Sequence, residues 1–367
     1  MAKWIWGREQ KMGTRLRIKT KVISWLAAAA VLGGIALYIY KLDSSPDLPL
    51  SVSAWVVDWQ LESGLQDYQA VADHLDSLHM FALYYDDKDG LTFTPALAAA
   101  LSEMASGGAV PLQDRDGIGP EVYLTVVNDV WLEDGTSVQK DSELVTRLAA
   151  TPQSRSKHVQ ELVAVVLEHG FDGLEIDYER IAEEDWERLE AFFAELQAEL
   201  EVHGKSLRVI LEPRAPIERL SLPAGPSYVL MAYNLFGTHS GPGPKADQKF
   251  LRELAARSHK LPGEPIIALA SGGFAWSANG DVKALTEQQA LALADQAGAA
   301  KRRDQASGAV FFEYTDEQGV QHTVWYADAS TFKLWVETLR EAEIQRVAMW
   351  RLGEWSAESL RYLAEVD

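Results

Sequence analysis

Asp172-Gly173-Leu174-Glu175-Ile176-Asp177-Tyr178-Glu179 decides the reading of this chain. Residues 171–177 alternate as a strand does, with Leu174 and Ile176 on one face and Glu175 and Asp177 on the other. The same period of two carries Glu179 to the acidic face, just past the strand's end. Three carboxylates then converge where a strand opens into a loop. Carboxylates packed this closely repel, so one of them is expected to hold a proton near neutrality. A proton held beside a site is the first requirement for general acid catalysis.

A blander alternative is an acidic strand edge running into an acidic helix, because Glu183, Glu184, Asp185 and Glu187 follow. The Phe-Asp-Gly opening, the strict alternation and the apolar helix ahead of it favour the catalytic reading. The block resembles the D-G-x-D-x-D-x-E signature of glycoside hydrolase family 18, the chitinase family. Asp172, Gly173, Asp177 and Glu179 match it, and Glu175 stands where that family usually carries Asp.

The surrounding chain reads as a barrel. Strands are expected at Ser51–Val57, Met80–Tyr85, Val122–Val127, Gly173–Asp177, Leu207–Leu211, Tyr228–Tyr233, Ile266–Ala270 and Val347–Trp350. Several are continuous apolar runs, as in parallel strands buried on both faces. Amphipathic helices fall between them, at Ser156–His169, Glu184–His203, Gln248–Ser258, Glu287–Gly298 and Ser330–Glu343. Eight such units in a little over 300 residues predict a (β/α)8 TIM barrel. An open doubly wound sheet is disfavoured, since no glycine-rich phosphate loop follows the first strand. Residues 309–314 and 320–326, with a turn near Gly319, predict a small β-hairpin inserted between strands seven and eight. Spore-coat and cell-wall lytic members of the resembled family carry a similar hairpin, and Trp325-Tyr-Ala-Asp328 resembles its end.

The amino terminus carries a separate signal. Val22–Tyr40 holds no charged residue, and at about 1.5 Å per residue it just spans a bilayer core of roughly 30 Å. Lys3, Arg8, Lys11, Arg15, Arg17, Lys19 and Lys21 precede it against one acid, Glu9. The expected organisation is a basic cytoplasmic segment at 1–21, a transmembrane signal anchor at 22–40 and a linker at 41–50. A family 18-like catalytic barrel at 51–367 would then lie outside the cell membrane. Secretion after signal cleavage is the alternative, although no small-x-small site follows the apolar run.

Composition narrows the partners. A net charge of −20 opposes nucleic acid and anionic lipid surfaces. Without cysteine there is neither a disulfide framework nor a thiolate metal site. Asp172, Glu175, Asp177 and Glu179 could in principle hold Ca²⁺, the weaker reading. The eight histidines show no paired ligand spacing, so no metal and no cofactor is expected.

Barrel enzymes carry their chemistry at the carboxyl ends of the strands. Those ends hold Asp58 and Trp59, Tyr84 and Tyr85, Asp177 and Glu179, Glu212, Tyr233 and Asn234, and Trp350. Acids, amides and rings together suit a sugar, whose pyranose faces stack on aromatics. The substrate-binding candidates are Trp59, Tyr85, Glu212, Asn234 and Trp350. Met231-Ala-Tyr233-Asn234 resembles the family's M-x-Y-D element, with Asn at the Asp position, and Val347-Ala-Met-Trp350 resembles its last-strand segment. The resemblance, over about residues 51–360, implies substrate-assisted hydrolysis of glycans containing N-acetylglucosamine. Glu179 would be the acid, and Asp177 and Tyr233 would hold the acetamido group. Asp172 and Glu175 would support them by tuning Asp177. A non-catalytic, lectin-like sugar binder is the second reading. A hydrolase using Glu212 as nucleophile on sugars lacking an acetamido group is the third.

Overall fold

The structure, a computed structural model, describes residues 49–105 and 119–366. The basic segment, the expected span at 22–40 and residues 41–48 of the linker lie outside the described residues. Among the described residues no helix is long and apolar enough to cross a membrane.

Eight parallel strands close on themselves: Ser51–Val57, Ser77–Tyr85, Glu121–Trp131, Gly173–Asp177, Ser206–Leu211, Ser227–Met231, Ile266–Ala270 and Arg346–Trp350. Each pairs with the next in chain order, and the eighth pairs back with the first through Val52 opposite Val347. This is a (β/α)8 barrel. Short antiparallel strands at Leu91–Phe93 and Ser137–Val138 extend the second and third strands above the rim.

Two apolar populations follow from the period of two along each strand. Leu174 and Ile176 face outward into the large core under the helices. Trp55, Val57, Phe81, Tyr84, Val127, Ile210, Val229 and Met231 fill the lumen, with Trp131, Tyr233 and Trp350 packed on top of them. The helices are delimited by ordinary signals. Pro152–His169 starts at a capping box between Thr151 and Ser154 and stops at Gly170, whose φ is 73°. That stop delivers the chain into the strand bearing Asp177.

The insertion between the seventh and eighth strands is larger than the expected hairpin. It is a five-stranded antiparallel sheet, with Val282–Leu285, Gly272–Ser277, Gln321–Ala327, Val310–Thr315 and Arg302–Arg303 in spatial order. Helix Glu287–Gln296 packs on it around Phe312, Val324 and Tyr326. The hairpin strands at 310–315 and 321–327 do form, but Gly272–Ser277 pairs with the second of them. A Cβ on Gly273 would lie 1.7 Å from the Trp325 carbonyl oxygen, so only glycine allows that approach.

Candidate active site

The fourth strand distributes its acids over three depths of the barrel. Asp172 lies lowest, with Oδ2 accepting from the Val122 amide at 2.9 Å, where it ties the third strand to the fourth. Its expected role as a support for Asp177 is therefore corrected to a structural one at the amino end of the strands. Gly173 admits the ring of Tyr123, because a Cβ there would come within 2.3 Å of it.

Glu175 sits in the sealed lumen. Oε1 accepts from Trp55 Nε1 at 2.5 Å and from Thr125 Oγ1 at 2.7 Å. Oε2 lies 2.7 Å from Arg208 Nε and 3.1 Å from His79 Nδ1. Neither of the two nitrogens points along a hydrogen-bond line, so Arg208 acts by charge pairing. Burial, then the Arg208 charge, brings the His79 ring down to about 4, so it stands neutral near pH 7 with Nε2 accepting from Arg208 Nη1 at 2.8 Å. Burial pushes the Glu175 carboxyl up, but His79, Arg208 and the hydrogen bonds outweigh it and bring it down to about 2. Glu175 is thus a fixed anion under the site, and its charge reaches Asp177.

Asp177 and Glu179 occupy the top. Asp177 is buried and its Oδ1 has no hydrogen-bond partner among the described residues. Burial, then the negative charges of Glu179 and Glu175, hold its carboxyl well above the usual range. Glu179 is raised as well, by burial first, with Glu212 and Asp129 adding to it and Lys140 opposing. Two interacting acids of this kind titrate as one unit.

The backbone of Glu179 is held on both sides by one side chain. Asn128 accepts from the Glu179 amide at 2.9 Å and donates to its carbonyl at 2.9 Å. Lys140 Nζ lies 2.5 Å from Glu179 Oε2, while its own amide donates to Asp129. Asn128, Asp129 and Lys140 were not among the residues expected from sequence. The third strand runs to Trp131 rather than Val127, and reading it four residues further would have exposed Asn128 and Asp129.

A cleft of about 820 Å3 opens over these groups, lined by Lys140, Glu179, Glu212, Met231, Tyr233 and Asn234, among others. Glu212 accepts from the Arg180 amide at 2.8 Å. Tyr233 follows the sixth strand, and burial, then the charges of Asp177, Glu179 and Glu175, keep its phenol protonated. Asn234 adopts φ 57°, a left-handed conformation that Asn tolerates. It also lines a second hollow containing Trp59 and Trp350. Trp350 meets Phe81 and Trp55 edge-on at 4.8 and 5.7 Å, and Trp59 is 57 % exposed.

Tyr85 is corrected. It is fully buried outside the barrel wall, bonded to Tyr178 and His158 beneath helix Pro152–His169. Adjacent strand residues face opposite ways, so Tyr84 is the lumenal tyrosine, and its hydroxyl donates to Asp58 at 3.2 Å. Among the described residues no group of three or more His, Cys, Asp or Glu is arranged to hold a metal ion.

A closed (β/α)8 barrel with a coupled acid pair, a tyrosine and tryptophans at its carboxyl rim has the architecture of a barrel glycosidase. Residues 139–354 match the sequence model of the glycosyl hydrolases family 18, and the chain belongs to that family. It is 26 % identical over 215 residues to a cortical fragment-lytic enzyme of Bacillus subtilis, an overlap of 53 % of this chain and 49 % of that one. The chain spans about half the length of that enzyme and of a putative sporulation-specific glycosylase of the same organism. In fold it resembles the spore cortex-lytic enzyme SleL of Bacillus cereus, with TM-score 0.70 and 20 % identity, covering 86 % of this chain and 74 % of that one. It also resembles a chitinase of Chromobacterium violaceum, with TM-score 0.69 and 18 % identity, covering 86 % and 98 %.

Proposed function

We propose that this protein is a retaining glycosidase that cleaves β-linked glycans containing N-acetylglucosamine, of the peptidoglycan or chitin type, with assistance from the substrate's own acetamido group. One observation carries the reading: two coupled, proton-retaining acids lie side by side, and the inner one, Asp177, keeps an unpartnered buried oxygen. An unpartnered buried acceptor costs free energy unless a ligand completes it, and an acetamido N–H supplies the missing donor. The names of relatives that act on cortical fragments or chitin agree with such a substrate.

In this mechanism protonated Glu179 donates to the glycosidic oxygen as the bond to the anomeric carbon breaks. The acetamido carbonyl oxygen attacks that carbon, and the pair of electrons leaves with the protonated alcohol. The resulting oxazolinium keeps the proton on its nitrogen, donating it in a hydrogen bond to the Asp177 carboxylate, with its oxygen near Tyr233. Glu179, now a carboxylate, takes a proton from water as the water opens the ring, which restores both acid and acetamide. The scheme stands apart from the usual two-carboxylate route.

We further propose that residues 22–40 anchor the chain with the barrel outside the membrane, on the strength of the sequence alone. The decisive experiment offers the protein chito-oligosaccharides, purified peptidoglycan and a plain β-glucan. Release from an N-acetylated glycan should fall about 10²- to 10⁴-fold in Glu179→Gln with the fold unaltered. Unchanged release in that variant would defeat the proposal, and binding without release would favour the lectin reading. Release from the glucan would favour Glu212 as a nucleophile.

A further inference from the structure

Across Asn234 from Glu179 lies a separate hollow of about 310 Å3. Trp59, Phe274 and Trp350 supply three aromatic faces to it, and Lys245 and Arg351 supply two cations. Among the described residues no carboxylate lines it. Neither Lys245 nor Arg351 has a carboxylate within 4.0 Å among the described residues, in a chain with a net charge of −20. Lys245 Nζ donates to the Ser271 carbonyl at 2.7 Å and stands 5.1 Å from the Phe274 ring centre. The Arg351 guanidinium carbon is 5.6 Å from the Trp59 ring centre, and its Nη1 is buried without a hydrogen-bond partner among the described residues. The nearest acid by charge, Glu354, is engaged by Thr286 and Gln289.

Two cations confined without a counter-ion oppose folding. Burial, then the Arg351 charge, brings the Lys245 ammonium down to about 7. A purely structural arrangement would have supplied an acid, because unpaired buried charge is costly. The aromatic faces point to a ring as the occupant, and Asn234, which lines both, sets the hollow beside the acid-bearing cleft. We propose that this hollow is a subsite for a sugar unit bearing a carboxylate, such as the lactyl ether of N-acetylmuramic acid or a uronic acid. Arg351 offers the carboxylate paired donors, and Lys245 offers a point charge. The proposal rests on the glycosidase reading for the direction in which a glycan enters.

The test uses calorimetric titration of the full chain carrying Glu179→Gln, which separates binding from turnover. The ligands are a tetrasaccharide of alternating N-acetylglucosamine and N-acetylmuramic acid, the same compound with its carboxyls converted to methylamides, chitotetraose, and an oligosaccharide of N-acetylglucosamine and glucuronate. The lactyl carboxylate form should bind at least tenfold more tightly than its amide. That ratio should collapse toward one when Lys245→Gln or Arg351→Gln is added, and should be kept in part by Arg351→Lys. Tighter binding of the glucuronate ligand would assign the carboxylate to a uronic acid. Equal affinity for carboxylate and amide would overturn the subsite while leaving the glycosidase reading intact, and failure to bind any of the sugars would overturn it as well. Discrimination without any hydrolysis by the unmodified chain would keep the subsite and defeat the glycosidase reading.

Discussion

Lys140 approaches Glu179 from the loop beyond the third strand, and its ammonium contacts the carboxyl that the proposed mechanism requires to be protonated. Its positive charge also acts on Asp177 in the same sense. Lys140 therefore favours the ionised form of both acids, against the burial that favours the neutral form.

Replacing Lys140 with Met should raise the titration of the Asp177–Glu179 pair. The protonated acid would then persist to higher pH, so the alkaline limb of kcat/KM should move upward, and Lys140→Arg should move it back. A pH profile on any cleaved oligosaccharide reads this. A lower rate with both limbs unmoved would reduce Lys140 to a packing residue.

Asn128 holds the amide and the carbonyl of Glu179 at once, a pairing a carboxamide makes and a carboxylate cannot. Asn128→Asp loses the donor and sets a charge against a carbonyl. Turnover should fall about 10²-fold through misplacement of the acid. KM should change much less. A kcat within a factor of two of the parent would show that the loop holds Glu179 without this clamp.

The buried Glu175–Arg208–His79 cluster should behave as a unit. Glu175→Gln leaves the Arg208 charge unneutralised in the lumen and should cost about 3–5 kcal/mol in urea unfolding. Glu175→Gln combined with Arg208→Met should recover much of that loss. Additive losses in the double variant would mean that the cluster stabilises by packing rather than charge.

His158, buried between Tyr85 and Tyr178, is brought down to about 3 by burial and then by the Lys157 charge. Below about pH 6.5 an unfolded chain protonates this ring and the folded one refuses the proton. Its contribution to stability is whole above that pH and shrinks by about 1.4 kcal/mol per unit as pH falls toward 3. Unfolding of the parent chain and of His158→Gln, compared at pH 7, 5.5 and 4.5, should therefore show the parent losing ground steadily. A constant difference would mean that His158 titrates normally.

The barrel was legible because its strands are short apolar runs with abrupt polar ends. Ser51–Val57, Gly173–Asp177 and Ile266–Ala270 could be bounded to the residue for that reason. The inserted sheet was legible only where a local turn joined two strands. Gly272–Ser277 begins with two glycines and pairs on one side with residues some fifty positions away, and its local signal, the Asn279-Gly280 turn into Val282–Leu285, was passed over. In the site, residues on the fourth strand could be read by period, whereas Lys140 arrives from 39 positions away. The Tyr84–Tyr85 pair shows the limit of strand-end reading, since an error of one residue exchanges lumen for helix layer. Asn128 was missed because the strand carrying it continues past its apolar run.

The fourth strand has a further consequence at its lower end. Gly173 yields space to the Tyr123 ring, and Asp172 fastens the neighbouring strand, so the first letters of the signature are masonry and, under the proposed mechanism, the last are tools. The two ends answer to different pressures during descent. A descendant that abandoned the reaction would be free to discard Glu179 and Asp177, yet would still need Gly173 and Asp172 to keep its walls upright. If the proposed mechanism holds, half of this signature answers to the walls and only the other half to the occupation.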